Sequence, residues 1–222
     1  MTYVISDIHG ALDKYLAILD TIGFSDEDDL YVLGDIVDRG PESADILQDM
    51  SCRSNVFPIL GDHDLLASMM LRRLMDGAPE DSLEAEKWLC EGGEATLTSF
   101  RKLPEEEQEW LLDYISEFSL YEVVTVGGQK YILVHGGLGN YAPGKKISEY
   151  TLPELLYGPN DPHKTYYQKS VLVTGHVPTY QIDEASRGKV FHGPRQLCID
   201  CGAGDGLGLG CVCLDTGEEY YV

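Results

Sequence analysis

Positive charge is scarce in this chain. Its 222 residues hold 16 lysines and arginines against 38 aspartates and glutamates, a formal net charge of −22. A surface of that sign repels phosphate backbones, which argues against nucleic acid as a partner. No run of about 18 apolar residues is present, so no segment reads as a membrane-crossing helix. The N-terminus enters an apolar stretch within three residues, without the basic and apolar regions of a secretion signal. The expectation is a cytoplasmic protein with no membrane partner. Six cysteines are spread along the chain, and Cys198-Ile199-Asp200-Cys201 has the two-residue gap of a metal or redox pair. No second pair stands at zinc-ribbon separation, so buried free thiols are expected and strand alternation accounts for the pair. Repeats and low-complexity tracts are absent as well.

The composition that remains, 43% hydrophobic and 24% charged, suffices for one substantial core and predicts a single domain over residues 1–222. The first third alternates apolar β-branched runs (Tyr3 to Ser6, Leu30 to Leu33, Val56 to Leu60) with helical periodicity over Ala11 to Ile22 and Ser43 to Met50. That rhythm predicts parallel strands joined by helical crossovers. From about 64 to 117 the spacing turns helical, with Leu65, Met69, Trp88, Leu97, Phe100, Trp110 and Ile115 marking amphipathic faces. This stretch is a helical insertion between strands, of core helices first and a substrate-shaping cap second. Leu120 to Val126 and Lys130 to Val134 flank Gly127-Gly128 and predict a hairpin. Residues 138–169, rich in proline, glycine and tyrosine, read as loop; the C-terminal part reads as antiparallel strands.

Five polar stretches each follow an apolar run. They are Asp7-Ile8-His9-Gly10, Gly34-Asp35-Ile36-Val37-Asp38-Arg39-Gly40, Gly61-Asp62-His63-Asp64, Val134-His135-Gly136-Gly137 and Thr174-Gly175-His176. Loops released from buried strands are where sites are usually built. Hydrolysis of a phosphate ester needs a nucleophile at neutral pH, neutralised phosphoryl charge and a proton for the leaving group. Two metal ions about 3.5–4 Å apart meet the first two needs. Asp7, His9, Asp35, Asp62, His135 and His176 offer carboxylate and imidazole ligands with no thiolate among them, a set suited to Mn, Fe, Zn or Co. Taken singly, each aspartate reads equally as a turn or cap residue and each histidine as a satisfied core side chain. Four of the six histidines standing in these loops make the joint coincidence improbable. His163 and His192 have no such context and read as surface residues.

In order and spacing the five stretches resemble the motifs of the calcineurin-like metallophosphoesterases, DxH, GDxxDRG, GNH(D/E), VHxG and GH. They are most similar to the bacterial branch of Ser/Thr phosphoprotein phosphatases and symmetrical diadenosine tetraphosphatases. The resemblance implies an α/β sandwich of two packed mixed β-sheets flanked by helices. It implies that Asp7 and His9 hold one metal, that Asp35 bridges, and that Asp62, His135 and His176 hold the other. It further implies attack by a hydroxide between the metals, protonation of the leaving group by His63 held by Asp38, and a grip on phosphate by Arg39. The substrate so implied is a phosphomonoester, phosphoserine or phosphothreonine in a phosphorylated protein first, with a dinucleoside polyphosphate or other small phosphoester as the alternative. Tyrosines between Tyr141 and Tyr167 offer base-stacking faces for the latter.

Three positions depart from the pattern. Asp62 stands where the family has asparagine, making the core one charge less positive, so that metal is held more tightly and a phosphate dianion attracted less. That change also raises the reading of a non-catalytic phosphate-binding protein, against which the retained His63, Asp38 and Arg39 count. Glu91 replaces a common asparagine. A second arginine is missing from residues 138–175, where only Lys145, Lys146, Lys164 and Lys169 offer positive charge.

Overall fold

A computed structural model describes residues 1–222. Two mixed five-stranded sheets face each other. The first has the order β10-β9-β1-β2-β3, from β1 (Thr2–Ile5), β2 (Asp29–Leu33), β3 (Val56–Ile59), β9 (Gly210–Cys213) and β10 (Glu219–Tyr221). β1, β2 and β3 run parallel, as their alternation with helices predicts, and β9 and β10 complete the sheet antiparallel. The second has the order β4-β5-β6-β8-β7, from β4 (Tyr121–Val126), β5 (Gln129–Val134), β6 (Ser170–Thr174), β7 (Phe191–Gly193) and β8 (Gln196–Cys198). The predicted hairpin is β4 and β5; the short β7, paired with β8, carries no alternation long enough to predict.

Period-two alternation sorts each strand between layers. In β1, Tyr3 and Ile5 join a 31-residue cluster under the helices, while Val4 packs with Leu33, Ile59, Leu133, Val173 and Val212 between the sheets. The helices over the first sheet are α1 (Leu12–Ile22), α2 (Ser43–Ser51), α3 (Asp62–Met75), α4 (Leu83–Trp88), α5 (Glu94–Phe100) and α6 (Glu105–Ser116). A turn of π geometry over Leu89–Gly93 joins α4 to α5. Residues of α3, α5 and α6 lie in the main core, including Leu71, Phe100, Leu111 and Ile115, in keeping with core helices as their first role.

The outer face of the second sheet is covered by residues 138–169, which include α7 (Leu152–Leu156); α8 (Thr179–Ile182) follows β6. Here Tyr150 and Tyr166 are buried against Ile132, Val134 and Leu172, so these two tyrosines are packing rather than exposed stacking faces. One expectation is corrected. β8 ends at Cys198, so Cys201 lies beyond the strand, and the Cys198 and Cys201 spacing is not strand alternation. Both thiols are buried and free, as are Cys211 and Cys213.

Candidate metal centre

All five motif loops leave the C-terminal ends of β1, β2, β3, β5 and β6, the edge at which open α/β sheets bind ligands. The first three strands bring the aspartates and two histidines. The second sheet brings His135 and His176 across to meet them. One donor atom each from Asp35, Asp62, His135 and His176 lies within 4.8 Å of the others, and a second such group is His9, Asp35 and His63. Asp35 is common to both. Its Oδ1 lies 3.4 Å from His135 Nε2 and its Oδ2 3.5 Å from His9 Nε2, one oxygen turned toward each group.

Spacing within the first group tests whether a metal fits. Asp62 Oδ1 is 3.0 Å from both His135 Nε2 and His176 Nδ1, and those nitrogens are 3.2 Å apart. Ligands about 2.0–2.2 Å from one ion sit about 2.8–3.1 Å from each other at neighbouring vertices of an octahedron and about 3.3–3.6 Å apart in a tetrahedron. The oxygen and imidazole donors therefore fit a divalent ion.

Backbone contacts aim the imidazoles. His9 Nδ1–H donates to the Val37 carbonyl (2.9 Å) and His135 Nδ1–H to the Leu33 carbonyl (2.7 Å), which presents Nε2 of each ring to the centre. Burial pushes the His9 imidazolium down to about 4, so the ring is neutral and free to ligate. At His135 burial opposes charge, but the Asp35 charge, the bond its ring N–H donates to Asp62 and the Asp7 charge outweigh it and raise its pKa well above the usual value. Burial opposes the charge of Asp62 too, yet its bonds from His135 and His176 hold its carboxyl well below the carboxylate range.

Asp7 joins neither group. Its carboxylate, 1% exposed, accepts the His176 N–H at 3.0 and 3.1 Å and the Ser6 hydroxyl, tying the loop after β1 to the loop after β6. Burial and the Asp200 charge push its pKa well up.

His63 lies beside the centre with its ring edge against His9, centroids 4.9 Å apart. Its Nδ1–H donates to Asp38 Oδ2 at 2.8 Å, and the Asp38 side chain is fully buried. Burial works against the imidazolium. The Asp38 bond and the charges of Asp35, Asp38 and Asp62 prevail and lift its pKa to about 9. Arg39 holds Nη2 3.4 Å from His63 Nε2 and Nη1 3.6 Å from Asp205. Gly204 closes this side: a Cβ there would stand 2.4 Å from His9 Cδ2 and 2.8 Å from Arg39 Nη1. Of eight non-glycine residues with positive φ, six are Asp7, His9, Asp35, Asp38, Arg39 and His176. Strain of that kind persists where surrounding contacts over-determine the backbone.

Several supporting residues escape sequence reasoning. The buried Asp64 carboxylate accepts N–H groups from Asp35 (2.9 Å), Ile36 (2.9 Å), Val37 (3.2 Å) and Gly61 (3.0 Å), so it shapes the loop that carries Asp35. Its place three residues after Gly61, at the start of α3, is a capping signal that could have revealed it. Trp88, Thr96 and Asp205 have no comparable signal. The lysines considered for phosphate are partly engaged elsewhere: Lys145 pairs with Glu154 at 2.9 Å, and Lys164 lies over the Tyr141 ring. His163 packs on Phe191 and His192 pairs with Glu219, both away from the centre. Glu91 is exposed in the π turn, 3.8 Å from Lys87.

Comparison with known proteins agrees with this geometry. The profile of the calcineurin-like phosphoesterase family matches residues 2–206. The chain is 33% identical over 138 residues to a symmetrical bis(5'-nucleosyl)-tetraphosphatase of Acidovorax sp. (strain JS42), covering 61% of this chain and 43% of that one. It is 38% identical over 84 residues to the protein of that name from Salmonella paratyphi B, 37% and 30% of the two chains. The match thus spans less than half the length of these relatives. In fold it is similar to a protein serine/threonine phosphatase from Saccharomyces cerevisiae (TM-score 0.62, 16% identity, 100% of this chain and 78% of that one). A metallophosphoesterase from Sphaerobacter thermophilus has a TM-score of 0.54 at 18% identity, over 99% and 86% of the two chains.

Proposed function

Because the chain belongs to the calcineurin-like phosphoesterase family, we propose that it is a metal-dependent phosphoesterase acting through the residues just described. The observation that carries this reading is Asp35, which turns one oxygen to each of two donor groups as a bridging carboxylate does. His9, Asp35, Asp62, His135 and His176 would hold a metal pair; Asp7, outside both donor groups, would be added to them only by the family motif. Bound metal supplies a nucleophile from water at neutral pH and neutralises phosphoryl charge. The chain supplies the rest. Arg39, the cation at the rim, takes the phosphoryl oxygens with its fork of donors. His63 Nε2 carries the proton for the leaving oxygen, its Nδ1 fixed by Asp38.

For substrate, the similarity to symmetrical bis(5'-nucleosyl)-tetraphosphatases favours a dinucleoside polyphosphate, and two features of the surface support it. Clefts of about 540 and 390 Å³ lie on either side of Arg39, the first reaching His9 and Lys14, the second Cys90 and Lys102. These give room for a substrate extending both ways from the phosphate. Tyr157, 54% exposed, follows α7, whose Leu155 carbonyl accepts the Gly136 and Gly137 N–H groups next to His135, and offers a face on which a base could stack. A second reading, an alkyl phosphomonoester such as phosphoserine, is favoured by the buried support of His63. An alkoxide is a far more basic leaving group than a phosphate oxygen and needs that proton more.

Metal-stripped protein given Mn, Fe, Co, Zn, Mg or no metal, with p-nitrophenyl phosphate as substrate, tests the activity. Restored turnover is expected. No turnover with two metals bound per chain would favour a phosphate-binding protein instead. A panel of diadenosine tetraphosphate, a mononucleotide and a phosphoserine peptide then separates the substrates. Asp62→Asn restores one unit of positive charge and should raise turnover roughly threefold to tenfold, about 1 kcal/mol of transition-state stabilisation. Equal or lower turnover of the variant, with metal content unchanged, would show that Asp62 does not restrain the reaction.

A further inference from the structure

Asp38 and Arg39 are consecutive non-glycine residues in the left-handed region, with φ of 70° and 67°. Such backbone holds only where its surroundings impose it. Here the helical stretch after α3 imposes it at several points. The Asp38 N–H donates to Thr96 Oγ1 at 2.8 Å, and the Arg39 N–H donates to the Gly92 carbonyl at 3.0 Å. Thr96 Oγ1–H donates to Asp38 Oδ1 at 2.7 Å. Trp88 Nε1–H reaches both carboxylate oxygens, at 3.3 Å from Oδ1 and 3.1 Å from Oδ2. Trp88 and Thr96 are fully buried. The π turn Leu89–Gly93 lets one short segment present Trp88, Gly92 and Thr96 to the same dipeptide. Gly92 has φ 115°, and a Cβ there would stand 2.8 Å from Arg39 N.

We propose that Trp88 and Thr96 are positioning residues for proton transfer: they fix the plane of the Asp38 carboxylate, so that Oδ2 holds His63 with Nε2 toward the leaving group. This rests on the phosphoesterase reading above. The helical stretch is then part of the catalytic apparatus as well as of the core, because it settles where the acid stands. Packing alone would make a different prediction. A Trp88 that only fills volume affects every substrate alike, whereas one that aims an acid affects those whose leaving group needs a proton.

Trp88→Phe keeps most of the ring and removes the N–H; Thr96→Val keeps the shape and removes the hydroxyl. Both are compared with the metal-loaded parent on p-nitrophenyl phosphate, whose anion leaves readily, and on β-glycerophosphate, whose alkoxide does not. The ratio of kcat for the first ester to kcat for the second should rise about tenfold in each variant, a fraction of the 10²–10⁴ that a general acid contributes. KM should move little, and Thr96→Ser should restore the parent ratio. An unchanged ratio, or equal loss on both esters, overturns the proposal. Nitrogen-15 spectra of the indole N–H groups in metal-free protein give a readout independent of turnover. Of Trp88 and the half-exposed Trp110, one N–H should exchange slowly and shift in Asp38→Asn. A parent inactive on both esters would count against the phosphoesterase reading, while two freely exchanging indoles would by themselves overturn the placement of Trp88.

Discussion

Replacing His63 with alanine is expected to lower kcat toward an alkyl phosphate by about 10²–10⁴, the usual contribution of a positioned general acid. Loss toward p-nitrophenyl phosphate should be smaller, since that leaving group departs with less help. The ring lies against His9, Asp38 and Arg39, so its removal acts on the site. A second effect is expected in metal-free protein. The His63 pKa is about 9 in the folded chain, above the ordinary value near 6.5. Protonation is therefore stronger in the folded state, and the stability it brings is full below about pH 6.5 and fades as pH rises through about 9. Thermal unfolding of metal-free parent across that window should show a decline that His63→Ala lacks. A parent curve that rises across the window, or a variant retaining parental turnover on the alkyl ester, would remove His63 from the role of acid.

Asp35→Asn is expected to cost more. An amide has the shape of the carboxylate but only one oxygen able to ligate, so it can serve one donor group and not both. The second group would keep only His9 and His63 of its members, and His63 is committed to Asp38 through one nitrogen. Metal content after dialysis should fall from two ions toward one per chain. Since metal provides several kcal/mol of stabilisation to phosphoryl transfer, kcat/KM should fall by about 10³ or more. Two retained ions together with near-parental turnover would show that Asp35 does not bridge.

Much of this centre was legible because it is written as loops after strands. Apolar runs ending in Asp7, Asp35, Gly61, His135 and Gly175 fix both the sheet edge and the order of donors, and the structure brings Asp35, Asp62, His135 and His176 together from those loops. The parallel half of the first sheet followed from alternation of strand and helix. What stayed hidden depends on contacts between residues far apart in sequence. Trp88 and Thr96 sit in helices whose spacing announces only burial, and nothing local says that their polar atoms end on Asp38, at a separation of 50 and 58 residues. Asp205 lies between β8 and β9 and meets Arg39, far earlier in the chain, only in the fold. The 138–169 segment read as loop because its prolines and glycines interrupt periodicity, yet Tyr150, Leu155 and Tyr166 bury a sheet face. Asp7 is the converse case: its motif is plain, but in the fold its carboxylate faces the His176 N–H.

The division of donors between the sheets has a consequence for biosynthesis. Asp35 and Asp62 leave the ribosome early, whereas His135 and His176 come from strands made much later. At roughly 5–20 residues per second, the 114 residues from Asp62 to His176 take about 6–23 s to make. Throughout that interval the four-donor group does not exist, and the early loops hold carboxylates without their imidazole partners. Metal choice would thereby be deferred until the strands of both sheets are made, and the ions present when the second sheet docks, rather than those met by the emerging loops, would decide what the centre acquires.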